Sequence, residues 1–325
     1  MSNLLPYSQL ANTNRTPLIN LLPLSMPISL HIEPTNVCNF RCVSCPQCLQ
    51  DYKQVTGYYQ KMDMELYEKI INDVKAMGRP KVIKLFGYGE PMLHPQLPRM
   101  VELAKTVADR VEFTSNCTVL TEKMAQRLID AKLDYLRCSI YSNNQTEHDK
   151  FTQVKFDIDR IYNNIKRLRQ MRTGDYPYIY VKMFETTTPH EAELFKEKYK
   201  DIADEVAFEI IHNMSGYDGI EAKLGIDIPA RTPKSICPLP FYMTSIGANG
   251  DVTVCCIDWS FSSKVGNIKE QSLSEIWNGE PLRKFQRLML AGRSHEYASC
   301  KSCTWSWSHP DSLENMTEEK RSFYG

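Results

Sequence analysis

Cys38, Cys42 and Cys45 stand in the stretch Asn36-Val37-Cys38-Asn39-Phe40-Arg41-Cys42-Val43-Ser44-Cys45, three thiols at C-x3-C-x2-C spacing. A fully ligated four-iron cluster takes four thiolates. A tight loop that offers three therefore holds the cluster by three irons and leaves the fourth open, the iron-sulfur counterpart of a catalytic metal site with a vacant position. Zinc, a disulfide or unrelated buried thiols are the alternatives, although zinc favours paired C-x2-C knuckles and four ligands. Cys48 forms a competing C-x2-C-x2-C ladder with Cys42 and Cys45 and is read as a bystander. A second set lies downstream, Cys237, Cys255, Cys300 and Cys303, spaced C-x17-C-x44-C-x2-C. Four thiolates close a metal site, around a cluster or around zinc. Cys256, beside Cys255, is spare on the argument that strand neighbours face opposite ways. A spare thiol can give a hydrogen atom to a substrate radical, or it is a small buried apolar residue.

Between the two sets the chain alternates strand and helix patterns. Strands are expected over 28–32, 81–86, 110–114, 135–140, 178–184 and 205–211, and helices over 64–77, 97–108, 121–131, 157–171 and 191–199. This alternation implies parallel strands with right-handed crossovers, an α/β class, and six such units fit a partial (β/α)6 TIM-like barrel. In the helix at 157–171, Ile161, Ile165 and Leu168 recur at helical spacing, and Lys166, Arg167, Arg169 and Arg172 read as a solvated face. Residues 213–236, with Gly216, Gly219, Gly225, Pro229 and Pro233, read as a linker. Asn249-Gly250 between alternating runs at 240–245 and 252–256 signals a hairpin. A Gly266-Asn267 turn and one amphipathic helix over 273–290 follow. The expected organisation is an extended arm (1–27), the barrel (28–212), the linker (213–236), a small hairpin-plus-helix domain (237–305) and a tail (306–325).

The second strand exits into Phe86-Gly87-Tyr88-Gly89-Glu90-Pro91, where bare backbone can approach a ligand closely. Following a three-cysteine loop, this segment resembles the "GGEP" motif of the radical S-adenosylmethionine (SAM) superfamily. There the methionyl amine and carboxylate of SAM occupy the open iron, and the motif contacts the amino group. Tyr88 replaces the first glycine here, with Gly87 one place earlier, so the resemblance carries over to Gly87, Gly89 and Glu90. It also makes Ser115, Asn116 and Ser139, at the next two strand exits, candidates for the ribose and carboxylate of SAM; ordinary polar strand caps are the alternative. The hairpin, the "GN" turn, the "L-x-x-I-W" helix and the closing C-x2-C resemble the twitch domain, a shortened SPASM domain. That likeness implies one auxiliary four-iron cluster on Cys237, Cys255, Cys300 and Cys303, with no cysteine after Cys303 for a second.

The resemblance implies a radical SAM iron-sulfur oxidoreductase. In such an enzyme reductive cleavage of SAM yields a 5'-deoxyadenosyl radical that abstracts hydrogen from a carbohydrate or aminocyclitol carbon. Electron transfer to the auxiliary cluster then gives dehydrogenation, whereas a hydrogen atom from Cys256 gives epimerisation. A flavodoxin or ferredoxin is the implied electron donor, and a sugar-like small molecule the implied substrate. A peptide epimerase or maturase is the alternative, although about 27 residues ahead of the barrel are too few for a leader-binding domain. A zinc-stabilised binding protein is the non-enzymatic reading. Glu185, His212, Asn213, Arg231 and Asp258 are candidate substrate-side groups, and Tyr58 with Tyr59 and Trp305 with Trp307 candidate pocket aromatics. With 39 basic and 39 acidic residues the chain has no net charge, hence no broad field for nucleic acid or an anionic membrane. The apolar run 18–30 is broken by Pro23 and Pro27 and cannot span a bilayer. Eleven cysteines without a signal-peptide pattern imply a reducing cytoplasm.

Overall fold

The computed structural model describes residues 15–184, 188–209 and 234–325. Six strands, β1 (Ser29–Ile32), β2 (Val82–Lys84), β3 (Arg110–Ser115), β4 (Tyr135–Ser139), β5 (Tyr178–Phe184) and β6 (Glu205–Glu209), pair in parallel, each with the next. Parallel neighbours require crossovers, and helices supply them. Short α1 (Leu18–Leu21) and α2 (Tyr52–Thr56) precede α3 (Met64–Met77), α4 (Leu97–Val107), α5 (Glu122–Asp130), α6 (Gln145–Thr152), α7 (Ile158–Met171) and α8 (Pro189–Tyr199). Local chemistry sets their ends. Asp63 caps α3 by accepting from the Glu65 amide at 3.3 Å, and Thr188 and Glu191 form a capping box on α8.

Strand alternation divides each strand between helix layer and interior. In β4, Leu136 and Cys138 join the hydrophobic core with Ile161 and Ile165 of α7, while Arg137 and Ser139 point the other way. Burying each aliphatic side chain of that core contributes about 1.5–3 kcal/mol. The basic run of α7 is not all solvated: Arg169 and Arg172 both pair with Asp204, and Arg172 is buried. The end of α7 abuts the start of β6, which the helical pattern alone does not indicate.

The C-terminal strands extend the same sheet. β7 (Met243–Ile246) pairs in parallel with β1, then β8 (Asp251–Thr253) and β9 (Lys264–Asn267) follow antiparallel. The order is β6-β5-β4-β3-β2-β1-β7-β8-β9. Gly250 makes the hairpin turn at φ +92°, a conformation suited to glycine. Two expectations are corrected here. Gly266 and Asn267 lie within β9 instead of a turn, because β8 offers them an antiparallel edge. The single helix expected over 273–290 is two, α9 (Leu273–Asn278) and α10 (Glu280–Leu290), separated by extended Gly279 with Pro281 in the next turn. A last short helix, α11, spans Glu318–Ser322. Side chains of eight strands, among them His31, Lys84, Arg137, Lys182, Glu209 and Ser245, wall one cavity, so the sheet curls around it as a partial barrel. Among the described residues no helix is long and apolar enough to cross a membrane.

Candidate active site

The cavity, about 480 Å³, opens at the C-terminal ends of the parallel strands. Cys38, Cys42 and Cys45 line it and Cys48 does not. Their loop leaves β1 and is laced to the segment after α2: Asn36 donates to Tyr58 O and accepts from the Gln60 amide, both at 2.8 Å. Its middle is tied to the end of α6, with Arg41 N to Thr152 O and Val43 N to Phe151 O at 2.9 Å. The Arg41 guanidinium turns back onto Cys38 O and Phe40 O at 2.8 and 2.7 Å. Burial pushes the Cys38 thiol up to about 11 and the Cys45 thiol to about 12. Cys42 rises too, through burial and then its neighbours Cys45 and Cys38, against a hydrogen bond with Tyr141. Three thiols raised this way ionise readily only when metal offsets the charge.

The β2 exit is latched onto this loop. A Cβ at Gly89 would strike Thr35 O and lie 2.8 Å from Val37 O, and the Glu90 amide donates to Val37 O at 2.9 Å. A Cβ at Gly87 would meet the Glu33 carboxyl, which accepts from Tyr88 N at 2.9 Å. Glu90 braces β2 to β3, taking Ser115 Oγ at 2.7 Å and Asn116 N at 2.8 Å; burial lifts it to about 6 against those donors. Asn116 then donates to Asn39 of the thiol loop at 2.9 Å. Gly87, Gly89, Glu90, Ser115, Asn116 and Ser139 thus all line the cavity, several as braces as well.

The second cysteine set comes from three segments. Cys237 precedes the turn at Leu239–Phe241, Cys300 and Cys303 precede Trp305, and Cys255 follows β8. These sulfurs influence one another: beyond burial, Cys303 and Cys300 raise Cys237. The strand argument for Cys256 fails. β8 ends at Thr253, so Cys255 and Cys256 sit in a turn with their sulfurs hydrogen-bonded to each other. What separates them is the cavity, which Cys256 lines and Cys255 does not. A hydrogen bond joins Cys256 to His31 as well.

His31, whose buried Nδ1 has no hydrogen-bond partner, and Tyr141 are site residues that no local sequence pattern revealed. Asp258 lines the cavity, and Ser260, Ser262 and Ser263 wrap its carboxylate at 2.7–3.2 Å. Tyr58 donates to Glu33 at 2.5 Å, Tyr59 contacts Arg41 at 3.2 Å, and Trp305 lines the cavity. Glu185, His212, Asn213 and Arg231 lie outside the described residues. Among those residues no three His, Cys, Asp or Glu side chains converge as ligands of a single ion. Cubane thiolates bind separate irons, so they surround a volume, and the cavity beside Cys38, Cys42 and Cys45 provides one.

Comparison with known proteins agrees. Residues 237–304 match the SPASM iron-sulfur cluster-binding domain, and residues 32–197 match the radical SAM superfamily. The S-adenosyl-L-methionine-dependent 2-deoxy-scyllo-inosamine dehydrogenase of Niallia circulans is 23% identical over 277 residues, 84% of this chain and 91% of that protein. The GTP 3',8-cyclase of Chlorobaculum tepidum is 32% identical over 140 residues, which cover 41% of this chain and only 40% of the cyclase. Among solved structures, BtrN in complex with AdoMet and 2-DOIA aligns over 91% of this chain and 97% of its own, with a TM-score of 0.59 and 19% identity. Streptococcus suis SuiB bound to precursor peptide SuiA aligns over 90% and 73%, with a TM-score of 0.64 and 15% identity. This protein belongs to the radical SAM superfamily, an enzyme whose barrel binds a four-iron cluster and SAM and whose SPASM domain binds auxiliary iron-sulfur.

Proposed function

We propose that the protein abstracts hydrogen from a carbon of a carbohydrate-like small molecule, with dehydrogenation or epimerisation as the outcome. The observation that carries this reading is one cavity lined both by the three-thiol loop and by Cys256. When bound, the open cluster with SAM supplies a carbon radical, and the auxiliary cluster a one-electron acceptor. Cys38, Cys42 and Cys45 anchor the first cluster, while Gly87, Gly89, Glu90, Ser115, Asn116 and Ser139 shape the pocket for SAM. Cys237, Cys255, Cys300 and Cys303 hold one auxiliary cluster. In the epimerisation outcome Cys256 gives its S–H hydrogen to the substrate carbon from the face opposite the abstraction. The sulfur, then one electron short, regains an electron from a flavodoxin- or ferredoxin-type donor and a proton from solvent. The similarity to the dehydrogenase along most of both chains supports the substrate class.

Anaerobically prepared protein should carry about eight irons per chain. Cys42→Ala is expected to abolish 5'-deoxyadenosine formation, and normal formation refutes the cluster assignment. Cys256→Ala keeps both clusters and SAM cleavage and, in an epimerase, stops turnover or diverts it to oxidised product; unchanged product removes Cys256 as hydrogen donor. Incubation with sugars in deuterated buffer separates the outcomes, because deuterium at an inverted carbon marks epimerisation and a carbonyl marks dehydrogenation. Turnover of a peptide and of no sugar overturns the substrate class.

A further inference from the structure

Each sulfur of the three-thiol loop receives hydrogen bonds, and their sources differ. Cys38 accepts from the Phe40 amide at 3.4 Å, and Cys45 accepts from the main chain at Gln47. Such donors come with the loop itself. Cys42, which is buried, takes a side-chain donor as well, the Tyr141 hydroxyl from the exit of β4. Tyr141 is distant in sequence from the loop, and several contacts fix it there. Its ring stacks on Phe151 with centroids 4.6 Å apart at 16°, and Phe184 lies 6.0 Å away on the same cluster of rings. The residue before it is pinned through Ile140 N to Lys182 O at 2.9 Å. Phe151 belongs to the end of α6, the same end whose Phe151 O and Thr152 O accept from Val43 N and Arg41 N, both at 2.9 Å. One helix end therefore holds both neighbours of Cys42 and also the ring whose hydroxyl meets its sulfur.

A thiolate bound to iron carries no proton, so toward a loaded loop the phenol is the donor. Reduction adds negative charge to a cluster, and the sulfurs share it. A hydroxyl aimed at one of them stabilises the reduced form more than the oxidised form, which raises the potential. A ring already held by stacking needs no reorganisation when the electron arrives. We propose that Tyr141 is a positioning residue for the SAM-binding cluster, donating to Cys42 and setting the potential at which that cluster accepts its electron. This rests on the assignment of Cys38, Cys42 and Cys45 to that cluster and is independent of the substrate. Tyr141 also lines the cavity, so a direct contact with SAM is the rival role.

The test is an anaerobic redox titration of reconstituted holoenzyme, wild type and Tyr141→Phe, followed by electron paramagnetic resonance. The signal that changes on adding SAM reports the open cluster, and the other reports the auxiliary cluster as an internal control. Tyr141→Phe should keep its iron and lower the potential of the SAM-responsive signal alone. The expected shift is about ten-fold in the reduction equilibrium, the worth of one hydrogen bond to a charged group, or about 59 mV for one electron. Electron-nuclear double resonance in H2O and D2O should show an exchangeable-proton coupling at that signal in the wild type and not in the variant. Phe151→Leu, which removes the stack and leaves the hydroxyl, should move the potential the same way by less; it carries the test if Tyr141→Phe does not fold. An unmoved potential or an unchanged coupling in Tyr141→Phe overturns the proposal. Weaker SAM binding with an unmoved potential overturns it in favour of the rival role, and loss of iron reduces Tyr141 to packing. A SAM-responsive signal that survives in Cys42→Ala sinks the cluster assignment itself, a failure distinct from that of Tyr141.

Discussion

A methyl group at residue 89 has nowhere to go, because the atoms it would meet, Thr35 O and Val37 O, are backbone of the three-thiol loop. Gly89→Ala is expected to cost about 1–3 kcal/mol and to weaken SAM binding, read by thermal melting and equilibrium dialysis. Gly174→Ala is the matched control: nothing lies within 4 Å of its Cβ position, and stability should stay within about 0.5 kcal/mol. Wild-type behaviour of Gly89→Ala would mean the latch is not needed. Gly89 and Glu90 were legible in the sequence because a glycine-rich strand exit is a local pattern. His31 and Tyr141 were not, since each gains its place by meeting a thiol from a distant segment.

At the scale of elements, Tyr88 turns a departure from the family motif into a tie. Its hydroxyl lies 3.1 Å from Cys256 O and 2.9 Å from Ile257 O, joining the β2 exit to the turn after β8. Tyr88→Phe removes that donor at a cost of about 0.5–1.5 kcal/mol. Iron content should hold while the electron paramagnetic resonance signal of the auxiliary cluster changes; an unaltered signal would reduce the tie to simple packing. Strand and helix identities followed from periodicity, as in α7 with Ile161, Ile165 and Leu168. The break at Gly279 and the pairing of Gly266 in β9 did not, since one depends on a single extended residue and the other on a neighbouring edge.

Across the whole molecule, the segments around residues 15 and 311 are clasped together. Arg15 pairs with Asp311 at 2.7 Å, and the Leu18 amide donates to the same carboxylate at 3.0 Å. Next to them His309 Nδ1 accepts from the Asp311 amide at 3.1 Å, so its Nε2–H faces the Tyr242 hydroxyl at 3.0 Å. Burial lowers His309 from 6.5 to about 4. The fold therefore favours the neutral ring, and this contribution is complete above pH 6.5 and lost as pH falls toward 4. A shift of that size is worth about 3 kcal/mol. Urea midpoints should drop over that window in the wild type and less steeply in His309→Gln, whose amide can still accept from Asp311 N and donate to Tyr242. Equal slopes would remove His309 from the acid response.

The chain's covalent order alone determined that three closely spaced thiols precede an alternating α/β unit and that four more follow it, because ligand spacing and hydrophobic period are written in consecutive residues. Only the tertiary structure decided which of Cys255 and Cys256 meets the cavity, and that Lys84, Arg137 and Lys182 line it as well. Those three come from three different strands. Alternation says which side chains of a strand share a face, whereas the curl of the sheet decides which faces enclose the same space.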